Sequence, residues 1–412
     1  MVDAGGTLQL PLNLGTLFTL ATSRGAKILN CSWERKLAST YDATARSLDQ
    51  FVYDNPEILV VVAAGNDGAA PQGQREFWKV GSPATAKNGL TVGAAGSDRA
   101  GFATTWKQFR PQLFTGTIGD GVLSPDPDEA AALSSPGPTD GESVKPDLLA
   151  AGTFVLAPRA AQLGGFLGAI PCADFGGSYV YLHGTSMAAP MVAGAAAVLR
   201  QFLRVKRATA KPSAALLKAI LINATRPLAE LRRPNAPAVG YPDFDSGFGR
   251  LDLSTILPVR GSPRNRSIVF DDVANNGPDV LESGLETSDP GAASRRYSLT
   301  VPAGATEPLR ITLTWTDPPG RDVCNQLQLY VQLPDGSAHR GNERHTYRDS
   351  SLPGTPGLIP DLDRRNTVHH FRLDAPPAGD YVVRVWAENT TLSPQGYALA
   401  VCGQLKGGLT RV

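Results

Sequence analysis

The feature that most restricts the fold of this chain is an uninterrupted apolar run, Ile58–Ala64, which ends at Gly65. A strand with one solvated face alternates apolar and polar residues, whereas a strand buried on both faces has a continuous apolar sequence. Segments with apolar residues at helical spacing, such as Leu14–Ser23 and Ser186–Leu203, alternate with strand-like segments around this run. The pattern predicts an α/β fold with a parallel sheet and helices on both faces.

The pattern of residues along the chain changes after residue 257. Clusters of Pro, Gly, Asp and Asn, such as Thr316–Gly320, separate short segments in which apolar and polar residues alternate. This pattern is typical of an antiparallel β-sandwich or jelly roll. The strands predicted here are Tyr297–Val301, Leu309–Trp315, Gln326–Gln332, Thr367–Leu373, Asp380–Ala387 and Tyr397–Cys402. We therefore expect two domains, 1–257 and 258–412.

The composition excludes several classes of partner. Lys and Arg number 39 against 38 Asp and Glu, so the formal net charge is +1. A chain of this charge is not attracted as a whole to nucleic acid or to an anionic membrane. The longest apolar stretch, Met187–Leu199, is shorter than the roughly 20 residues that cross a bilayer. No cationic segment followed by an apolar one stands at the start, so we predict no signal peptide. From the net charge and the length of the apolar stretch we predict no nucleic-acid partner and no membrane partner.

The cysteine and histidine patterns argue against a metal site. The four cysteines lack the spacing of a zinc site and are too few for a dense disulfide scaffold. Pairing of Cys324 with Cys402 stays open, because the sequence does not give their separation. His369 and His370 alternate faces on a predicted strand and cannot share one metal ion. We expect the histidines of the tail to be exposed to solvent or to lie at a rim: His339, His345, His369 and His370.

Two polar segments next to buried elements can carry chemistry. Ser186 falls in the first turn of an Ala-rich helix, where the helix dipole and free N–H groups favour negative charge. Gly184, just before it, leaves room for a substrate backbone. Asn66 ends the buried strand and can supply a side-chain N–H to an oxyanion. The plain interpretations are a helix cap for Gly-Thr-Ser and a turn for Asn-Asp-Gly.

Together these segments resemble the subtilisin-like serine proteases. Gly184–Pro190 is similar to the nucleophile motif of that family, and Ala63–Asn66 is similar to its oxyanion segment. Asn30–Trp33 lies where the family lines the side chain that precedes the scissile bond, the P1 side chain. Further segments of the resemblance are Gly81–Asn88, Thr91–Ala94, Leu133–Thr139, Lys145–Ala150 and Gly247–Asp252. The resemblance covers about residues 5–257, and the tail resembles the C-terminal β-barrel of the larger members.

The resemblance implies a serine endopeptidase with Ser186 as nucleophile and Asn66 as oxyanion donor beside the Ser186 backbone N–H. It implies a polypeptide substrate, a monomer and a secreted protein, although the sequence leaves the compartment unknown. It implies no cofactor, and it allows structural calcium to which no site can be assigned. The substrate-binding residues it implies are Ser32, Trp33, Glu34, Ala64, Gly65 and Gly184. Glu34 replaces a usual Gly and would either crowd the P1 residue or favour a basic one.

The resemblance breaks down at the other two members of the family's triad. A serine nucleophile needs a positioned base, and the base needs an orienting carboxylate. The family's Asp and His motifs are missing before Ser186, where Asp3 is a faint mimic and His183 is the sole histidine. His183 lies three residues before Ser186, and we do not expect it to act as the base.

Three interpretations of the missing Asp and His remain. The favoured one is a truncated record, with the true start upstream of Met1, because the nucleophile and oxyanion segments are intact. The chain as written is then expected to be inactive alone. The alternatives are an inactive relative that binds peptides or is structural, and a second chain that supplies both residues. A third function, carbohydrate or protein binding by the tail, is also open.

Overall fold

The computed structural model describes residues 10–69, 75–98, 102–123, 126–159, 170–172, 177–228, 242–257, 266–283, 293–342, 362–392 and 394–412. Asp3 and His345 lie outside these residues, and the proposed domain boundary borders the undescribed stretch 258–265. The helices are α1 (Gly15–Thr22), α2 (Ala43–Asp54), α3 (Trp106–Phe109), α4 (Gly116–Asp120), α5 (Thr185–Lys206) and α6 (Ala214–Asn223), with a 3-10 helix at Leu253–Thr255.

A six-stranded sheet forms the centre of the first part of the chain. Its strands are β1 (Ile28–Cys31), β2 (Leu59–Ala63), β3 (Leu90–Ala95), β4 (Leu148–Ala151), β8 (Thr225–Arg226) and β9 (Arg250–Leu251). Their order is β1-β2-β3-β4-β9-β8, and all neighbours are parallel except β8 with β9. Every residue of β2 is buried, as the apolar run predicts. The predicted parallel sheet is therefore confirmed.

Helix α5 crosses this sheet and contacts β1 to β4. Alanine supplies much of its sequence, which favours a helix. Its fully buried positions recur every three or four residues, as one face of a helix requires; they are Ala188, Ala189, Val192, Ala196, Leu199 and Leu203. At 22 residues α5 is also long and apolar enough to cross a membrane by those two criteria, but this face packs in the core.

Three further strands form a small antiparallel sheet beside the start of α5. They are β5 (Val155–Pro158), β6 (Ile170–Cys172) and β7 (Tyr179–Leu182), with β7 in the middle. The turn after β7 leads into α5 through His183 and Gly184, and the Gly184 N–H donates to the carbonyl of Gly152 at 2.7 Å. This sheet therefore fixes the approach of the chain to Ser186.

The C-terminal part of the chain forms two antiparallel sheets. Their strands are β10 (Ser267–Val273), β11 (Ser294–Val301), β12 (Leu309–Thr314), β13 (Asn325–Gln332), β14 (Ala338–Arg340), β15 (Val368–Leu373), β16 (Gly379–Thr390), β17 (Tyr397–Gly403) and β18 (Thr410–Arg411). The orders are β10-β17-β12-β15 and β14-β13-β16-β11-β18. Each of the six strands predicted in this region overlaps one of these. Side chains of both sheets form one buried apolar cluster, as in a sandwich.

The outer face of the four-stranded sheet packs on α6, which links it to the parallel sheet. Thr314 donates its hydroxyl to the Ala215 carbonyl at 2.7 Å, and Asn223 donates to the Ala400 carbonyl at 3.0 Å. A buried ion pair at 2.5 Å joins Lys87 to Asp317 nearby. The two parts therefore share a buried contact surface that is polar at these residues and apolar where Ile268, Ala398 and Ala400 join the core of the first part. All four cysteines are free thiols, so Cys324 and Cys402 are not joined.

Candidate functional site

Ser186 lies in the first turn of α5, half-buried, beside the residue that follows β1. Its hydroxyl donates to the backbone carbonyl of Ser32 at 3.0 Å, and the Ser32 hydroxyl donates back to the Ser186 carbonyl at 2.8 Å. The Ser186 carbonyl is free to accept this bond because Pro190, four residues on, has no N–H to offer it. The sequence of α5 thus ties the serine to the end of β1.

Asn66 lies at the same end of α5, after β2. Its Oδ1 accepts from the Thr185 backbone N–H at 2.9 Å, and the Thr185 hydroxyl lies 3.2 Å from the same atom. That hydroxyl also exchanges hydrogen bonds with the backbone of Gly65 at 3.2 Å. Thr185 is fully buried, so the orientation of the Asn66 amide is set by groups that solvent does not reach.

Gly184 is required by the same arrangement. Its φ is 143°, in the region that favours glycine, and a Cβ there would lie 3.2 Å from Asn66 Oδ1 and 3.5 Å from Asn66 Nδ2. A side chain at this position would therefore strain the backbone and press on the amide of Asn66.

Two N–H donors remain unused at this point. In the described part of the chain, neither the Ser186 backbone N–H nor Asn66 Nδ2 has a hydrogen-bond partner. Asn66 contacts Thr185, the residue before Ser186, so both donors lie at one helix terminus. Donors placed at the positive end of a helix can stabilise developing negative charge next to the Ser186 hydroxyl.

The implied substrate-binding segments differ in what they can offer a peptide. The Ala64 carbonyl accepts from Gly81 N–H at 2.9 Å, and the Gly65 carbonyl accepts from Ser135 N–H at 3.0 Å. These two carbonyls are therefore already hydrogen-bonded within the chain. Between described residues, no hydrogen bond uses the backbone of Trp33 or Glu34. That segment keeps a free edge, and Ala64–Gly65 forms the facing wall.

The side chain of Glu34 turns into the space between these segments. Its Oε1 accepts from the Asn66 backbone N–H at 3.1 Å, while its buried Oε2 has no hydrogen-bond partner. Burial, together with the nearby charge of Asp67, raises the pKa of Glu34 to about 7. A carboxyl group that titrates near neutrality thus lies next to the backbone of Asn66.

The side chain of His183 lies in a cluster of aromatic rings. Its Nδ1 accepts from the Phe154 N–H at 3.0 Å, and its ring packs edge-on against Phe154 and Phe109 at centroid distances of 4.8 and 4.7 Å. Burial and the charge of Arg110 lower the pKa of His183 to about 4. A neutral imidazole held in an aromatic cluster is not placed to take the proton of Ser186.

The other described histidines lie in the sandwich. His369 and His370 are buried, so the prediction that they are exposed or lie at a rim is wrong; β15 is covered on both faces. The ring of His369 packs near Trp315, whereas His370 Nδ1 lies 2.7 Å from the Thr312 hydroxyl. The two therefore do face opposite sides. Among the described residues no three His, Cys, Asp or Glu side chains are grouped to hold a metal ion.

One contributor that the sequence analysis did not single out is Thr185. The sequence gives it only as the middle of Gly-Thr-Ser, where a threonine next to the helix start predicts a cap. The structure places its hydroxyl between Gly65 and Asn66 instead. The position of Thr185 directly before Ser186 was the one sequence signal of its importance. Its partners could not be predicted, because they lie about 120 residues away in sequence.

Comparison with known proteins agrees with this geometry. The sequence model of the Subtilase family (Peptidase_S8) matches residues 12–249, more than half of the chain. Among curated relatives, the chain is 22% identical over 483 residues to the serine protease/ABC transporter B family protein tagA of Dictyostelium discoideum, covering 99% of this chain and 26% of that protein. It is 31% identical over 145 residues to the serine protease AprX of Bacillus subtilis, covering 35% of this chain and 26% of AprX. The chain spans about a quarter of the length of the curated relatives it matches.

Solved structures of similar proteins include the patellamide maturation protease PatA, with a TM-score of 0.41 and 21% identity over 61% of this chain and 70% of that one. The serine protease of Aeromonas sobria, solved with its chaperone, covers 92% of this chain and 71% of its own, with a TM-score of 0.36 and 14% identity. With the family match over more than half of its residues, and Asn66 after β2 of the parallel sheet next to the start of α5, the chain belongs to the subtilase family of serine peptidases.

Proposed function

We propose that this chain carries the nucleophile and the oxyanion donors of a serine endopeptidase. The Ser186 hydroxyl attacks the carbonyl carbon of a peptide bond, its proton passes to a base, and the carbonyl oxygen becomes an oxyanion. The amine then leaves with a proton, and water hydrolyses the ester on Ser186. The observation that carries this proposal is the pair of unused donors, Ser186 N–H and Asn66 Nδ2, at the start of α5.

The extended peptide lies along the free edge of Ser32–Glu34. Main-chain hydrogen bonds to such an edge orient a peptide independently of its sequence. Ala64 and Gly65 close the opposite side, so the P1 side chain enters between the two segments. The Ser186 hydroxyl, at 3.0 Å from the Ser32 carbonyl, lies at the end of this groove.

The base and its carboxylate come from a polypeptide segment that packs next to β1. In the sheet, β1 is an edge strand with β2 as its single described neighbour. Next to it, α5 leaves an apolar stripe exposed at seven-residue spacing: Met191 is 49%, Val198 52% and Val205 68% accessible. A free strand edge has unpaired backbone groups, and an exposed apolar helix face is unfavourable in water, so both are usually covered by another segment. A histidine on that segment reaches Ser186 from the side opposite Asn66.

Labelling by a fluorophosphonate tests the proposal. We expect the protein, expressed with its natural flanking sequence, to be labelled at Ser186, as located by peptide mass spectrometry, and to hydrolyse peptides. Ser186→Ala removes both signals. Ser213→Ala is the matched control: Ser213 also stands at a helix start, where its hydroxyl caps α6, and its loss weakens α6 without ending labelling.

The competing candidate is a subtilase-like protein that binds peptides without cleaving them. A folded, full-length protein that binds peptides but is neither labelled nor hydrolytic would support that candidate and overturn the proposal. The free backbone edge at Trp33–Glu34 favours this candidate as the alternative, since peptide pairing there does not depend on a base.

A further inference from the structure

The Glu34 carboxyl group occupies a recess made by two glycines. An ideal Cβ on Gly65 would lie 2.0 Å from Glu34 Oε2, and one on Gly81 would lie 2.4 Å from the same atom. Any side chain at either position would displace the carboxyl group. Gly65 has a φ of 114°, so its backbone also favours glycine. Two segments 16 residues apart in sequence therefore leave space for this one oxygen.

This carboxyl group makes no ion pair with a described residue, although the charge of Lys36 favours its ionised form. Between described residues no ion pair includes Glu34, and the neighbouring cations are held by other carboxylates. Lys36 pairs with Asp67 at 2.5 Å, and Arg35 pairs with Asp42 at 2.7 Å. A buried carboxylate without a cation is costly, so the free carboxyl holds its proton to near neutral pH. A cation that reaches Oε2 would remove this penalty.

The position of Glu34 relative to Ser186 indicates that such a cation would come from the P1 side chain of a bound peptide. Glu34 follows Ser32 by two residues on the edge that a peptide would pair with, and Oε1 is bound to the backbone N–H of Asn66. A peptide whose carbonyl carbon lies at Ser186 places its P1 side chain between Ser32–Glu34 and Ala64–Gly65. The unsatisfied Oε2 is buried beside Gly65 and Gly81, on the Ala64–Gly65 side of that space.

We propose that Glu34 selects substrates with a basic P1 residue, Lys or Arg, by pairing its carboxylate with the ammonium or guanidinium group. This inference rests on the proposed function, because it identifies the substrate class of the same site. A guanidinium offers two parallel N–H groups to a carboxylate, so Arg is bound more tightly than Lys. The alternative effect of Glu34, crowding, would favour small neutral P1 residues such as Gly and Ala.

Binding of product peptides tests the inference without requiring hydrolysis. Two peptides that differ only at their C-terminal residue, arginine or its neutral isostere citrulline, are titrated into the full-length protein and followed by calorimetry. We expect the arginine peptide to bind about ten- to a hundredfold more tightly, the range of a charge-assisted hydrogen bond. Glu34→Gln, which keeps the shape, reduces this ratio to near one. Glu76→Gln, which removes an equal charge from a carboxylate paired with Lys79, leaves it unchanged.

The outcomes separate this inference from the proposed function. Equal binding of both peptides by the wild type, or a ratio that Glu34→Gln does not change, overturns the basic P1 preference. Tighter binding of a peptide ending in alanine than of the arginine peptide also overturns it, in favour of crowding. If the arginine preference depends on Glu34 but Ser186 is never labelled, the inference holds as binding specificity and the hydrolytic function fails.

Discussion

The described residues supply the groups needed on the oxyanion side of Ser186 but not those needed on the side of the base. On the oxyanion side, Asn66 is fixed by Thr185, and Thr185 is itself buried and bonded to Gly65. On the base side, the one hydrogen-bond partner that the described residues give the hydroxyl is the backbone carbonyl of Ser32, next to an edge strand. The first side consists of groups that follow β2 and groups that begin α5. The second depends on a group that the described residues do not place there.

The difference shows which half of a hydrolytic site is carried by the fold of this chain. An oxyanion site needs donors with fixed directions, and helix termini and strand ends supply these from the backbone outward. A general base needs an imidazole whose second nitrogen is oriented by a carboxylate. That requirement depends on particular side chains and not on the sheet itself. A separate segment that packs against the folded sheet can therefore meet it.

The largest expected effect on the oxyanion side is that of Asn66→Leu. Removal of the Nδ2 donor should lower turnover by about 10²- to 10³-fold with little change in substrate affinity, a magnitude established on subtilisin itself. The measurement is steady-state hydrolysis by the full-length protein. Asn30→Ala is the matched control, since the amide of Asn30 lies on the base side and donates to the Ser32 hydroxyl. We expect that control to stay within a few-fold of the wild type, and equal losses in both variants would contradict the assignment.

Thr185→Val should produce a smaller effect on both stability and turnover. The valine keeps the shape but removes a buried hydroxyl that bonds to Gly65 and Asn66. The loss leaves buried polar groups unsatisfied, which costs about 1–3 kcal/mol of unfolding free energy. We expect turnover to fall about tenfold because Asn66 loses part of its support. Urea unfolding and hydrolysis are measured side by side, and Thr185→Ser should restore both; failure of the serine variant to do so would mean that the methyl group matters more.

Much of the fold could be predicted from local patterns. The apolar run that forms β2 and the alternation in β12 and β16 were sufficient to place those strands. Strand β10 was missed because Asp271 and Asp272 interrupt its alternation in a region rich in turn residues.

The candidate site was predicted only where its residues are close to one another in sequence. Ser186 and Gly184 come from one motif and Asn66 from another, and each motif can be recognised from its own few residues. The direction of the Glu34 carboxyl group could not be found, because it depends on Gly65 and Gly81 in two other segments. The burial of His369 and His370 was missed for a similar reason. Their strand alternates as if one face were solvated, but α6 and the second sheet cover both faces.

His183→Phe is the variant with the smallest expected effect on catalysis. Because the ring of His183 packs against Phe109 and Phe154 and not against Ser186, we expect labelling of Ser186 to change less than about twofold, as for a position outside the proton-transfer path. A loss of labelling in a folded variant would mean that His183 reaches the hydroxyl, and would make the base side self-sufficient.

The same variant should change how stability depends on pH. In the folded protein the pKa of His183 is about 4, below its ordinary value of 6.5, because of burial and then Arg110. Below pH 6.5 the unfolded chain therefore binds a proton that the folded chain does not, so stability falls on acidification until the folded pKa is reached. At pH 5 this amounts to about 2 kcal/mol relative to neutral pH.

Glu34 and Asp49, whose pKa values are raised by burial, act in the opposite direction, so the difference between wild type and variant is the quantity to measure. Urea unfolding at pH 7 and pH 5 should show a smaller acid loss for His183→Phe, and an unchanged loss would contradict a buried, neutral His183.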